Sequence, residues 1–169
     1  MRMINRLGLA LLCVSSVLGA GCGGSRELTQ VVLEVDTDIA APATIDEIRA
    51  TIHSPSGETR VASAVLGFGQ PAPPRTLAIT HGGDVLTGYE VDLEGLSRGV
   101  VVVSRQVVFD MTDGQIRKVI VSLDQACVGV PCTGGTTCSD GACVSPMIET
   151  VPLSSTNSDA GMTPVDAGM

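Results

Sequence analysis

From Leu28 to Leu123 the chain alternates apolar and polar residues in short runs, the pattern of strands with one buried face. In Leu28–Asp36, Val31, Leu33 and Val35 alternate with Gln30, Val32, Glu34 and Asp36. Ile48, Ala50 and Ile52 repeat the pattern against Glu47, Arg49, Thr51 and His53. The turn residues Ser54-Pro55-Ser56-Gly57 lead into a run from Glu58 to Leu66, and a glycine- and proline-rich loop follows from Gly67 to Pro74. Leu77 and Ile79 mark a short strand that ends at His81-Gly82-Gly83-Asp84. Tyr89, Val91 and Leu93 alternate cleanly with Glu90, Asp92 and Glu94. Arg98 to Met111 is long for one strand, so Ser104-Arg105-Gln106 is expected to hold a bulge or a change of partner. Thr112-Asp113-Gly114 reads as a hairpin turn, and Val119, Val121 and Leu123 close the series.

About seven short strands with almost no helical periodicity predict an all-β fold, an antiparallel β-sandwich over residues 28–125. An immunoglobulin-like and a transthyretin-like topology both fit that count. One helical alternative exists at Thr44–Ala50, where Thr44 and Glu47 have capping-box spacing, but β-branched content and alternation favour a strand. Tyr89, following Gly88, is a candidate tyrosine corner.

The first 22 residues, MRMINRLGLALLCVSSVLGAGC, follow another logic. Arg2 and Arg6 form a positive start, Leu7–Leu18 an apolar stretch too short to span a bilayer, and small residues lead to Cys22. A buried core helix is a poor account of that stretch, because Gly8, Ser15 and Ser16 leave it no amphipathic face. Ala20, Gly21 and Cys22 resemble the lipobox of bacterial lipoproteins, with Gly19 standing where that motif has a large aliphatic residue. The resemblance implies cleavage of residues 1–21, lipidation of Cys22 and acylation, as by palmitate, of its amino group. An ordinary secretory signal cut among the same residues, leaving Cys22 a free thiol, is the alternative. Several acyl chains on one residue make an attachment effectively permanent, at about 0.8 kcal/mol per buried methylene. Residues 22–27 would then be a lipidated linker whose last five residues reach at most about 18 Å.

Charge changes the picture of partners. The first 21 residues hold two of the ten Lys and Arg and none of the 18 Asp and Glu, so the chain from Cys22 carries a formal net charge of −10. Such a surface is repelled by nucleic acid and by anionic headgroups, which leaves the lipid to do the anchoring. With no Trp, one Tyr and two Phe, the chain has little with which to build aromatic binding platforms.

Cys127, Cys132, Cys138 and Cys143 form a C-x4-C-x5-C-x4-C array at residues 126–146. Cys13 leaves with the signal and Cys22 takes lipid, so an even set remains, which in an exported chain reads as two disulfides. Zinc knuckles favour C-x2-C pairs, and no histidine lies nearby. Spacing leaves three pairings open; first to third with second to fourth is the working expectation. Residues 147–169, with Asp-Ala-Gly-Met repeated at 159–162 and 166–169, read as a disordered acidic tail. Lipobox, β-rich domain, cysteine element and tail together resemble uncharacterised predicted lipoproteins of myxobacterial type, which implies architecture and location but no activity.

Catalytic signals are thin. The chain has two histidines, His53 and His81, and no G-x-S-x-G elbow, so His81-Gly82-Gly83 reads as a glycine turn rather than an oxyanion loop. Asp36 with Asp38 and Asp110 with Asp113 fall short of a calcium loop and read as turn carboxylates. Glu90, Asp92 and Glu94 share a strand face but need a cleft to become acids or bases. No catalytic residue, metal ligand, cofactor or small-molecule substrate is assigned. The expectation is a non-enzymatic lipoprotein of the cell envelope, lipid-anchored, by analogy in the outer membrane, serving as a structural or protein-binding module. A surface hydrolase using His81 and Asp84, or a calcium-stabilised adhesion module, is the alternative.

Overall fold

The structure is a computed structural model and describes residues 28–153. The signal segment, Cys22 and residues 154–169 of the expected tail lie outside the described residues.

Seven strands follow the alternation: β1 (Gln30–Thr37), β2 (Glu47–His53), β3 (Thr59–Val65), β4 (Arg75–Thr80), β5 (Tyr89–Ser97), β6 (Val100–Phe109) and β7 (Ile116–Leu123). Three short strands come after them: β8 (Thr137–Ser139), β9 (Ala142–Val144) and β10 (Val151–Pro152). They form one sheet ordered β10-β7-β1-β4, a second ordered β3-β2-β5-β6, and the hairpin β8-β9. All pairings of the two large sheets are antiparallel except β1 with β7. Immunoglobulin domains place strands A, B, E and D in one sheet and C, F and G in the other. Here the first, fourth and seventh strands share a sheet and the second joins the opposite one, so the immunoglobulin topology is excluded and the transthyretin-like alternative is left.

The period-2 residues meet between the sheets. Val31, Leu33, Val119, Val91, Leu93 and Phe109 are fully buried there, and Thr44–Ala50 is no helix but a turn leading into the first four residues of β2. Seven residues of β2 pair with both β3 and β5, so β2 is a central strand and its apolar residues face inward.

Two local expectations are corrected. The bulge lies at Val102, where Gly95 pairs with Val103 but Leu96 pairs with Val101, and not at Ser104–Gln106. The cause is on the facing strand: a Cβ on Gly95 would meet Val103 Cγ1 at 2.8 Å and Ile45 Cγ2 at 3.3 Å, so only glycine admits both side chains. Past the bulge, β5 continues to a two-residue hairpin at Arg98 (φ 49°) and Gly99 (φ 79°), the geometry of a type I′ turn. Both carboxylate oxygens of Asp46 accept the Arg98 N–H, which holds a non-glycine residue in the left-handed region. Thr112-Asp113-Gly114 is a turn but not a hairpin, because β6 and β7 belong to opposite sheets.

Residues 147–152, expected to belong to the tail, are bonded to the domain. The Val108 N–H donates to Pro146 O, the Ile148 N–H donates to Val108 O, and β10 pairs with Arg117 and Lys118 of β7. Arg117 fastens that segment further by donating from Nε to Thr150 Oγ1 at 2.7 Å.

Gly95→Ala should lower stability by about 1–3 kcal/mol through overpacking against Val103 and Ile45, read as a lower urea midpoint with an unchanged slope.

Candidate functional site

The strand directions define two ends of the sandwich. At one end lie Leu28 and the loops 54–58, 81–88 and 110–115; at the other lie the loops 38–46, 66–74 and 98–99. β10 pairs near the start of β7, so Leu153 leaves from the same end as Leu28.

The Leu28 end carries a concavity of about 860 Å³, walled by Leu28, Thr29, His81, Gly82, Asp84 and Asp113. The β4–β5 loop thus brings His81 and Asp84 beside Asp113 of the β6–β7 turn. His81 Nδ1 and the Tyr89 hydroxyl lie 2.8 Å apart in a hydrogen bond, and Tyr89 stacks on Phe109 with ring centroids 6.0 Å apart. The Tyr89 hydroxyl thus meets both a side chain and, at the Gly82 N–H, the backbone of the loop just upstream. Burial pushes the Tyr89 phenol above its ordinary 10.0, against the opposing pull of the Arg60 guanidinium and the Gly82 N–H. Thr29 Oγ1 donates to Asp113 Oδ1 at 3.2 Å and accepts the Gly114 N–H at 2.8 Å.

The other turn carboxylates also fasten backbone. Asp38 Oδ1 accepts the Gln125 N–H at 2.6 Å, Asp110 Oδ1 accepts the Gly88 N–H at 2.9 Å, and Asp36 Oδ1 accepts the N–H of Thr37. Among the described residues, no three His, Cys, Asp or Glu side chains converge closely enough to hold a metal ion.

On the outer face of β5 the acidic ladder is met by side chains from both neighbouring strands. Glu94 Oε2 receives Arg49 Nε at 2.8 Å and Nη2 at 2.7 Å. Gln106 Nε2 bridges Glu90 Oε1 at 2.7 Å and Asp92 Oδ1 at 3.1 Å, and His53 Nε2 lies 3.4 Å from Asp92 Oδ2. A loop of the cysteine element overhangs this ladder, enclosing about 440 Å³ between Asp92, Glu94, Gln106, Val130 and Thr137. The cleft that a sequence could not reveal is therefore present, with its carboxylates already paired to Arg49, His53 and Gln106.

The sulfurs pair as Cys127–Cys138 and Cys132–Cys143, first to third and second to fourth. The first cystine belongs to the main hydrophobic cluster, both cysteines being buried, while Cys143 is exposed. The element covers the edge of β6: the Gln106 N–H donates to the buried Thr137 Oγ1 at 2.8 Å. Arg105, inward on β6, reaches across the sheets to donate from Nη1 to Ser122 O at 2.9 Å, with Asp124 Oδ2 3.7 Å away. Asp124 Oδ2 in turn accepts the Asp140 N–H at 3.0 Å. The sequence marked Arg105 and Gln106 only as a bulge and did not mark Asp124 or Thr137 as contact residues; each is defined by partners from 14 to 31 residues away.

No family model, curated protein or solved structure matches the chain.

Replacing Cys127 and Cys138 by serine should lower stability by about 2–4 kcal/mol, with amide exchange rising first along residues 127–144 and at Gln106. A second outcome concerns pH. Because the Tyr89 phenol is raised in the folded state, its contribution is complete below pH 10.0 and is lost as pH rises through the folded value. Tyr89→Phe should remove that alkaline loss, and with a single Tyr and no Trp the phenolate absorbance follows the titration directly.

Proposed function

We propose that the chain is a lipid-tethered, non-catalytic component of a bacterial cell envelope, held by Cys22 and presenting its sandwich to a protein partner. One observation carries this reading. The described domain begins and ends at one end, with Leu28 six positions after Cys22, so a tether there leaves the opposite end facing outward. β1, eight residues long, puts about 26 Å between the two ends. The outward end carries Phe68 fully exposed on the β3–β4 loop, and the paired cysteines suit an oxidising compartment. Outer-membrane residence follows from the lipoprotein resemblance alone.

A second reading, a surface hydrolase, draws on the convergence of His81, Asp84 and Asp113 at the concavity by Leu28. Its weakness is the nucleophile: Thr29 Oγ1 is bonded to Asp113 and Gly114, and His81 Nδ1 to Tyr89.

Cys22→Ala should move the protein out of the membrane fraction or stall its processing, and the acyl mass should vanish from the N-terminal peptide. Unchanged partition and unchanged mass would end the proposal.

A further inference from the structure

The four outer strands of the two large sheets are treated unequally. β6 is covered by Thr137, Pro146 and Ile148, and β10 is two residues long. β4 is preceded by Pro73 and Pro74 and begins with Arg75, whose Nη2 donates to Val65 O. Prolines, short strands and charges are the usual guards of a sheet edge. β3 has seven residues, no proline, no acidic residue and a single cation at Arg60; among the described residues β2 is the strand paired with it, and Arg75 reaches its open edge at the terminal Val65 carbonyl, a bond that pairing there would displace.

The direction of its backbone groups follows from the bonds flanking it. The Ser54 N–H donates to Glu58 O, and the Leu66 N–H donates to Asp46 O. Antiparallel ladders alternate bonded and non-bonded pairs, so residues 58, 60, 62, 64 and 66 turn their amides toward β2. Thr59, Val61, Ser63 and Val65 turn theirs to the open edge. Their side chains lie on the outer face, where Val61 is 62% and Val65 58% exposed. Beside Ser63–Val65 the edge opens on a concavity of about 570 Å³, walled opposite by Gln70, Pro71, Pro74 and Thr76.

The segment Val61-Ala62-Ser63-Ala64-Val65 reads identically in both directions. We infer that β3 is the pairing edge of a two-fold dimer, joined to the β3 of a second copy antiparallel and centred on Ser63. In that register Ser63 faces Ser63 of the other copy, Val61 faces Val65 on the outer face, and Ala62 faces Ala64 on the inner face. The contact is isologous, since i meets j and j meets i, and the palindrome matches every facing pair in size and polarity. The phase agrees as well, since Val61, Ser63 and Val65 all offer their amides to the open edge. The segment is uncharged in a strongly acidic chain, so two copies pairing there set no like charges opposite one another. A hetero-partner strand would have no need of the palindrome.

A five-residue strand contact is smaller than a standard stable interface, so a dissociation constant on the order of 0.1 mM is expected. The test uses the exported full chain carrying Cys22→Ser, so that lipid cannot drive association, in sedimentation velocity across that range. The wild-type edge should give a concentration-dependent dimer. Val61→Lys should weaken it at least about tenfold. Ser63→Pro should abolish it while leaving the melting temperature within a few degrees, because the lost N–H points away from β2. A chain that stays monomeric throughout, or a dimer untouched by both folded variants, overturns the inference. So does a photocrosslinker at residue 63 that captures only other proteins in intact envelopes.

Discussion

An open strand edge carries a row of amides and carbonyls that some partner must satisfy, and this molecule is arranged around that requirement. Two stacked sheets have four outer strands, and residues 124–153 are spent on those of one side. The cystine element runs along β6, placing the Thr137 hydroxyl and the Pro146 carbonyl where a further strand would lie, and β10 then completes the neighbouring sheet beside β7. The two cystines hold a stretch poor in large apolar residues in the one conformation that does this, and Cys127 and Cys138 add their sulfurs to the core. Covalent order substitutes there for the burial that such a composition cannot supply.

The seven long strands were legible because each is half-buried, so that the period-2 pattern survives in the sequence. Tyr89, Val91 and Leu93 against Glu90, Asp92 and Glu94 is the clearest case, and it sits on a central strand. What failed to show was set by contacts between distant segments. The bulge was expected at Ser104–Gln106, where the sequence turns polar, yet Arg105 keeps the inward phase and reaches Ser122 while Gly95 on the facing strand sets the bulge. Thr112-Asp113-Gly114 has the composition of a hairpin turn, but whether a turn joins neighbours or crosses between sheets depends on where β1 inserts, nearly ninety residues earlier in the chain.

The polar clusters were only half legible for a related reason. Period placed Glu90, Asp92 and Glu94 on one face, but their partners Arg49, His53 and Gln106 come from β2 and β6 through register alone. The same holds at the other cluster, where Thr29 and Asp113 meet across 84 residues. In both places the hydrogen bonds fix loops and strands to one another.

The position of β1 has a mechanical consequence. It is the first strand of the domain, yet it lies inside its sheet, bonded to β4 on one side and along its whole length to β7 on the other. A pull on the chain ahead of Leu28 runs along the axis of β1, so both ladders are loaded together in shear instead of being peeled one bond at a time. A domain held by its leading end is thereby gripped at a strand bonded on both sides.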